Sequence, residues 1–146
     1  MLRGHATVRV DEKGRLKIPA EFLEEFLELC GPDRRTFVTS RDGRTILVYP
    51  IPVWEEHERT LASFPSTHPA VENYIRTVNY WGKEAQVDAS GRILLHPLLR
   101  SSARVTTDAS VFGRQRTLEI CDHELFRGQP PTVSKDELAQ LAGLGL

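Results

Sequence analysis

The sequence predicts an α+β fold built as two pseudo-symmetric halves, each a small β unit with short helices. Three observations predict it. The segment Asp11-Glu12-Lys13-Gly14-Arg15-Leu16-Lys17-Ile18-Pro19 returns 77 positions later as Asp88-Ala89-Ser90-Gly91-Arg92-Ile93-Leu94-Leu95-His96-Pro97, with Asp, Gly and Arg at identical spacing. A repeat of that kind implies internal structural symmetry. Each copy lies between runs with the two-residue alternation of half-buried strands, and other stretches carry apolar residues at the three- and four-residue steps of amphipathic helices. At 146 residues the chain is long enough for one core, or two halves sharing one, to bury about two-thirds of its unfolded surface.

In chain order, Ala6 to Val10 alternates, the Asp11 to Gly14 turn intervenes, and Leu16 and Ile18 resume the alternation, which reads as a β-hairpin. Pro19 fits a first helical position. Phe22, Leu23, Phe26, Leu27 and Cys30 form the apolar stripe of the helix that follows, with Glu21, Glu24, Glu25 and Glu28 on its other face, and Gly31-Pro32 stops it. Thr36 to Thr39 and Thr45 to Tyr49 flank Ser40-Arg41-Asp42-Gly43-Arg44, whose Asp-Gly pair favours a tight hairpin turn. Trp54 to Ala62 reads as a short helix. His68-Pro69 opens another, with the stripe Val71, Tyr74, Ile75, Val78 and Trp81, and Gly82 ends it.

The second half repeats the plan in shorter form: Ala85 to Val87, the Asp88 turn, Ile93 to Leu95, a helix after Pro97, then Ser110 to Phe112 and Thr117 to Cys121 around Gly113-Arg114-Gln115-Arg116. Phe126 is the counterpart of Trp54. The plan divides the chain into a first half over 1–52, connecting helices over 53–82, a second half over 83–128 and a tail over 129–146, where a Pro-Pro linker leads to a weakly packed amphipathic segment with Leu138 and Leu141.

Composition excludes several function classes. Cys30 and Cys121 stand in apolar runs without metal-ligand spacing, as buried free thiols of a reducing compartment do. No run of eighteen apolar residues exists, so neither a membrane span nor a leader is expected, and the protein is expected in the cytoplasm. The five histidines, His5, His57, His68, His96 and His123, lie far apart and read as surface or loop residues. Tyr74, Tyr80 and Trp81 could stack on bases, but their helical spacing favours core or subunit packing. No phosphate-cradling glycine loop or nucleophile constellation appears. No enzyme, cofactor, metal or small-molecule substrate is expected.

The formal net charge is -1, yet its distribution is uneven: residues 1–17 carry Arg3, Arg9, Lys13, Arg15 and Lys17 against Asp11 and Glu12 alone. Such asymmetry points to one basic edge. In each repeated loop the Asp can accept from the loop's own amides, and Gly14 or Gly91 supplies a left-handed backbone position. Arg15 and Arg92 then either pair with Asp11 and Asp88 to hold the turns, or are presented outward. Duplication favours presentation, because a two-stranded ribbon fits the major groove of DNA and Arg can bond guanine O6 and N7 bidentately.

Met1-Leu2-Arg3-Gly4, the stretch Asp11 to Pro19, the stretch Trp81 to Arg100 and Arg116-Thr117-Leu118-Glu119-Ile120-Cys121-Asp122 together resemble the MraZ family. These are double AbrB-like (SpoVT-AbrB, swapped-hairpin) transcriptional regulators of bacterial division and cell-wall gene clusters. The likeness spans nearly 1–128. It implies two swapped-hairpin β-barrel halves, each with a D-x-x-x-R motif: Asp11 and Arg15 in the first, Asp88 and Arg92 in the second. It also implies a homo-oligomeric ring on short G-rich direct repeats of double-stranded DNA, at the nucleoid. Arg15 is then expected to contribute base readout, with Lys13, Arg3, Arg9 and Lys17 positioning phosphates, and Arg92 is a further DNA-binding candidate in the second half. The second loop carries Ala89 and Ser90 where Glu12 and Lys13 stand. The rival readings are a ring-forming assembly module and an antitoxin-like repressor that holds a partner with its tail.

Overall fold

A computed structural model describes all 146 residues. It is α+β: strands β1 (His5–Arg9), β2 (Arg15–Lys17), β3 (Arg35–Thr39), β4 (Ile46–Pro50), β5 (Lys83–Gln86), β6 (Arg92–Leu94), β7 (Asp108–Arg114) and β8 (Thr117–Asp122), and helices α1 (Ala20–Cys30), α2 (Ile51–Ala62), α3 (Pro69–Tyr80), α4 (Pro97–Ala103) and α5 (Lys135–Gly143). A short 3₁₀ turn covers His123–Phe126. No helix is long and apolar enough to cross a membrane.

Six strands form one antiparallel sheet in the order β1-β7-β8-β4-β3-β5, and β2 and β6 form a separate two-stranded ribbon. The order reads equivalently from either edge: each half's first strand, β1 or β5, lies against the paired strands of a hairpin, β7–β8 or β3–β4. At the centre β4 and β8 run antiparallel, Ile46 beside Ile120. The hairpin expected for Ala6 to Ile18 does not form. Its two arms share only the bridge between Val10 and Leu16, β1 pairing instead with β7 and β2 with β6. Local alternation cannot distinguish these partners, since it specifies a strand's buried face and not its neighbour.

The 36–49 hairpin forms as expected. Ser40 Oγ donates to the Thr45 carbonyl at 2.6 Å, and the Asp42 carboxylate accepts from the amides of Arg44 and Thr45 at 2.9 and 3.0 Å. Pro19 is the residue before α1 rather than its first, with the extended ψ of 138°, and α2 begins at Ile51, earlier than expected. Gly82, just past α3, is required by close approach: a Cβ there would lie 2.5 Å from the Val78 carbonyl and run into the Phe37 ring.

One core joins both halves: Leu16, Ile18, Phe22 and Phe26 pack with Ile93, Leu95 and Leu99, and with the inner sheet face at Val38, Val48, Val111 and Ile120. On the sheet's other face Trp54 stacks on Phe37 with centroids 4.6 Å apart, and Phe126 meets Phe112 edge-on at 5.7 Å, the expected counterpart. Cys30 and Cys121 are buried free thiols, and burial pushes them up to about 12 and about 11. Helix α5, with a capping box between Ser134 and Glu137, is exposed along its length except at half-buried Leu141.

Three histidines depart from the surface reading. His96 is buried before α4 and its Nε2 donates to the Trp81 carbonyl at 2.7 Å, His57 hydrogen-bonds Tyr74 at 2.7 Å, and His123 Nδ1 hydrogen-bonds Ser110 at 2.8 Å. His96 occupies the repeat position of Pro19, likewise a buried helix entrance. Tyr74 and Trp81 pack as expected, but Tyr80 remains 62% exposed.

Candidate nucleic-acid interface

Each repeated loop is built by its own backbone. In the first, Asp11 Oδ1 accepts from the amides of Lys13 and Arg15, both at 2.9 Å, and in the second Asp88 Oδ1 accepts from Ser90 and Arg92, both at 2.9 Å. Gly14 and Gly91 take φ of 83° and 79°, a region that costs other residues about 1–2 kcal/mol. The amide bonds from Arg15 and Arg92 are the main cause holding the Asp11 and Asp88 carboxyls below the usual range.

The loops then exchange contacts. Leu95 N–H donates to the Gly14 carbonyl at 2.8 Å and Ile18 N–H to the Gly91 carbonyl at 2.9 Å. These bonds extend the ribbon, in which Arg15 faces Leu94, Leu16 faces Ile93 and Lys17 faces Arg92. Leu16 and Ile93 are buried in the core. The alternation of a strand therefore turns Arg15, Lys17, Arg92 and Leu94 together to the opposite, outward face.

The two arginines are held and presented at once. Arg15 Nε donates to Asp11 Oδ2 at 2.8 Å and Arg92 Nε to Asp88 Oδ2 at 3.2 Å. Each ion pair leaves about a third of both side chains exposed. Asp thus fixes each arginine's orientation through Nε while part of the side chain stays open to solvent, so turn-holding and partial exposure are compatible.

Lys13 is exposed in the first loop. Arg9, at the end of β1, lines with Lys13 and Arg15 a cleft of about 550 Å³. Arg3 is not brought to this cleft: it lines a second concavity of about 600 Å³ with Arg114 and Arg116 at the β7–β8 turn.

Sequence reasoning missed Arg100. This α4 side chain packs over the first loop, where a Cβ on Gly14 would run into its guanidinium, while Leu23 of α1 packs over Gly91. Arg100 and Leu23 occupy equivalent repeat positions, so the one signal available was a charge replacing an apolar residue at matched spacing.

A family model described as "MraZ protein, putative antitoxin-like" matches residues 1–76, which include the first loop. Across the whole of both chains, the protein is 44% identical to the transcriptional regulator MraZ of Acidobacterium capsulatum and 33% identical to that of Koribacter versatilis. It is 36% identical to the transcriptional regulator MraZ of Nitrosomonas europaea over 84% of this chain and 81% of the relative. The chain belongs to the MraZ family of transcriptional regulators.

Proposed function

We propose that this protein is a sequence-specific DNA-binding regulator that engages short direct repeats of double-stranded DNA upstream of the division and cell-wall gene cluster, in the cytoplasm and at the nucleoid. The observation that carries it is the outward ribbon face of Arg15, Lys17 and Arg92. A two-stranded ribbon is narrow enough for the major groove, where Arg bonds guanine O6 and N7. Arg15 and Arg92 read bases, and Lys13, Lys17 and Arg9 hold nearby phosphates. Arg3, at the far end of β1, holds a phosphate flanking the site.

The fold reading is of two swapped-hairpin barrel halves over 1–52 and 83–128, with helices over 53–82 between them and a tail over 129–146. It is supported by the matched loops, the sheet order equivalent from both edges and the exchanged bonds at Gly14 and Gly91. A homo-oligomeric ring follows from affinity: one ribbon neutralises few phosphates, whereas several held together multiply its binding. Heterologous contacts repeat the ribbon in one sense, which matches direct repeats.

Titrating cluster-upstream DNA with wild type and Arg15→Ala at matched salt tests this reading. Loss of the Arg15 head group should cost about 1–3 kcal/mol per engaged ribbon, and equal affinity would exclude it. One observation favours an antitoxin-like second reading: α5 holds Leu138 at 55% exposure. A partner protein captured by wild type and lost on truncation at Gln129, with DNA binding intact, would establish that role.

A further inference from the structure

Superposing the two copies of the repeat exchanges Arg15 with Arg92 on the ribbon, and Lys17 with Leu94. The arginines are chemically equivalent under that exchange. Lys17 and Leu94 are not: at one end of the outward face stands an ammonium group and at the other an isobutyl group, 49% exposed. An isolated exposed leucine is ordinary on a protein surface. Leu94 is distinguished by its place, directly across from Arg15 and two residues along the same strand from Arg92, on the same face as both. About half of its surface is open to solvent.

We propose that Leu94 is a specificity-determining residue that packs on the 5-methyl group of a thymine in the major groove, beside a guanine read by a ribbon arginine. The proposal rests on the ribbon being the DNA reader. Thymine is the only standard base that offers an apolar group on that edge, and contact between small apolar side chains and its methyl is an established mode of readout. Guanidinium and isobutyl groups side by side thus match a guanine and a thymine side by side. Lys17 opposite favours acceptors such as guanine O6 or a phosphate oxygen.

The same difference gives the ribbon a polarity. Two equivalent arginines alone would fit a duplex equally in either sense. With Lys17 at one end and Leu94 at the other, reversing the duplex places the ammonium against the methyl and the leucine against a polar edge. One orientation is preferred, and copies arrayed in a single sense require sites repeated in a single sense.

The test uses the full chain and a duplex selected from a random pool by the wild type. Each thymine is replaced singly by uracil, which removes the methyl group and keeps the pairing edge. Wild type should lose about fourfold in affinity at one position, the factor for burying one methyl-sized group. Leu94→Ala should bind but show no loss there, and Leu94→Met should restore it. Leu94→Lys, which makes the ends alike, should reduce the preference for direct over inverted repeats. An unchanged uracil penalty in Leu94→Ala overturns the proposal and leaves the parent reading intact. A changed particle mass with that penalty unchanged also overturns it, making Leu94 a subunit contact. A wild type that selects no duplex sinks both readings.

Discussion

Arg92 Nη1 lies 3.9 Å from Asp11 Oδ2, across the boundary between the two repeated loops. Asp11 therefore faces both ribbon arginines, since Arg15 Nε is 2.8 Å away, whereas Asp88 has only its own Arg92 at 3.2 Å. Partly exposed ion pairs of this kind contribute little to stability. Their effect is to hold two guanidiniums in one orientation. Asn in place of Asp keeps an oxygen for the loop amides and removes the charge. We expect Asp11→Asn to weaken DNA binding more than Asp88→Asn does. Quantitative gel shifts at one salt concentration check this, and the reverse order would show that the loops orient their arginines separately.

Phosphate contacts and base contacts separate by salt. Arg9→Ala and Lys13→Ala should each reduce the slope of log affinity against log salt by about 1 while leaving sequence preference unchanged. Arg3 lies six residues before Arg9, a reach of about 20 Å along an extended strand. Its loss should lower the slope on a duplex with flanking DNA and leave a minimal single-site duplex unaffected. Fluorescence titrations over a salt series on the two duplex lengths read both effects.

Leu16 and Ile93 face each other across the ribbon, 0% and 1% exposed, beneath the arginines they help to position. Leu16→Ala or Ile93→Ala should cost about 2–5 kcal/mol of unfolding free energy, through lost burial and the cavity left. Because the residues touch, the double variant should depart from additivity by about 0.5 kcal/mol or more. Urea denaturation of the four proteins measures this cycle, and additive losses would mean that the ribbon packs loosely on the core.

The sequence made the loops legible because their chemistry is local. Asp11, Gly14 and Arg15 carry their hydrogen bonds and φ requirement within five residues, and the second copy does the same. Helices α1 and α3 were legible from the spacing of Phe22 and Phe26, and of Tyr74 and Val78, within a residue at either end. Strand partners were not legible. Val10 and Leu16 alternate as hairpin arms would, and only the long-range competition of β7 and β6 for the same edges decides the pairing. The burial of His96 was hidden for a related reason: it follows from where Trp81 brings a carbonyl, fifteen residues away. Arg100 also reaches the first loop through tertiary packing alone.

That burial has a pH signature. His96 is shifted below the ordinary histidine value, chiefly because burial withholds water from the charged ring. The Trp81 carbonyl opposes the shift and Lys83 adds to it. His57 is shifted the same way, first by burial and then by Arg41, with Glu58 opposing. A histidine whose folded value lies below its unfolded one binds its proton more readily in the unfolded chain. Stability is then full above the unfolded value of about 6.5 and falls as pH drops from there toward the folded value. The loop carboxylates do not share this window: Asp11 and Asp88 are shifted below the ordinary 3.8, so their contribution is lost only in stronger acid. We expect unfolding free energy to decline as pH falls below about 6.5, by at most about 1.4 kcal/mol per pH unit for each histidine. His96→Gln keeps an N–H for the Trp81 carbonyl and cannot titrate, so it should lower stability at pH 7.5 yet flatten the decline. Urea midpoints of both proteins at four pH values test the difference, and parallel curves would show that His96 takes its proton without leaving the folded state.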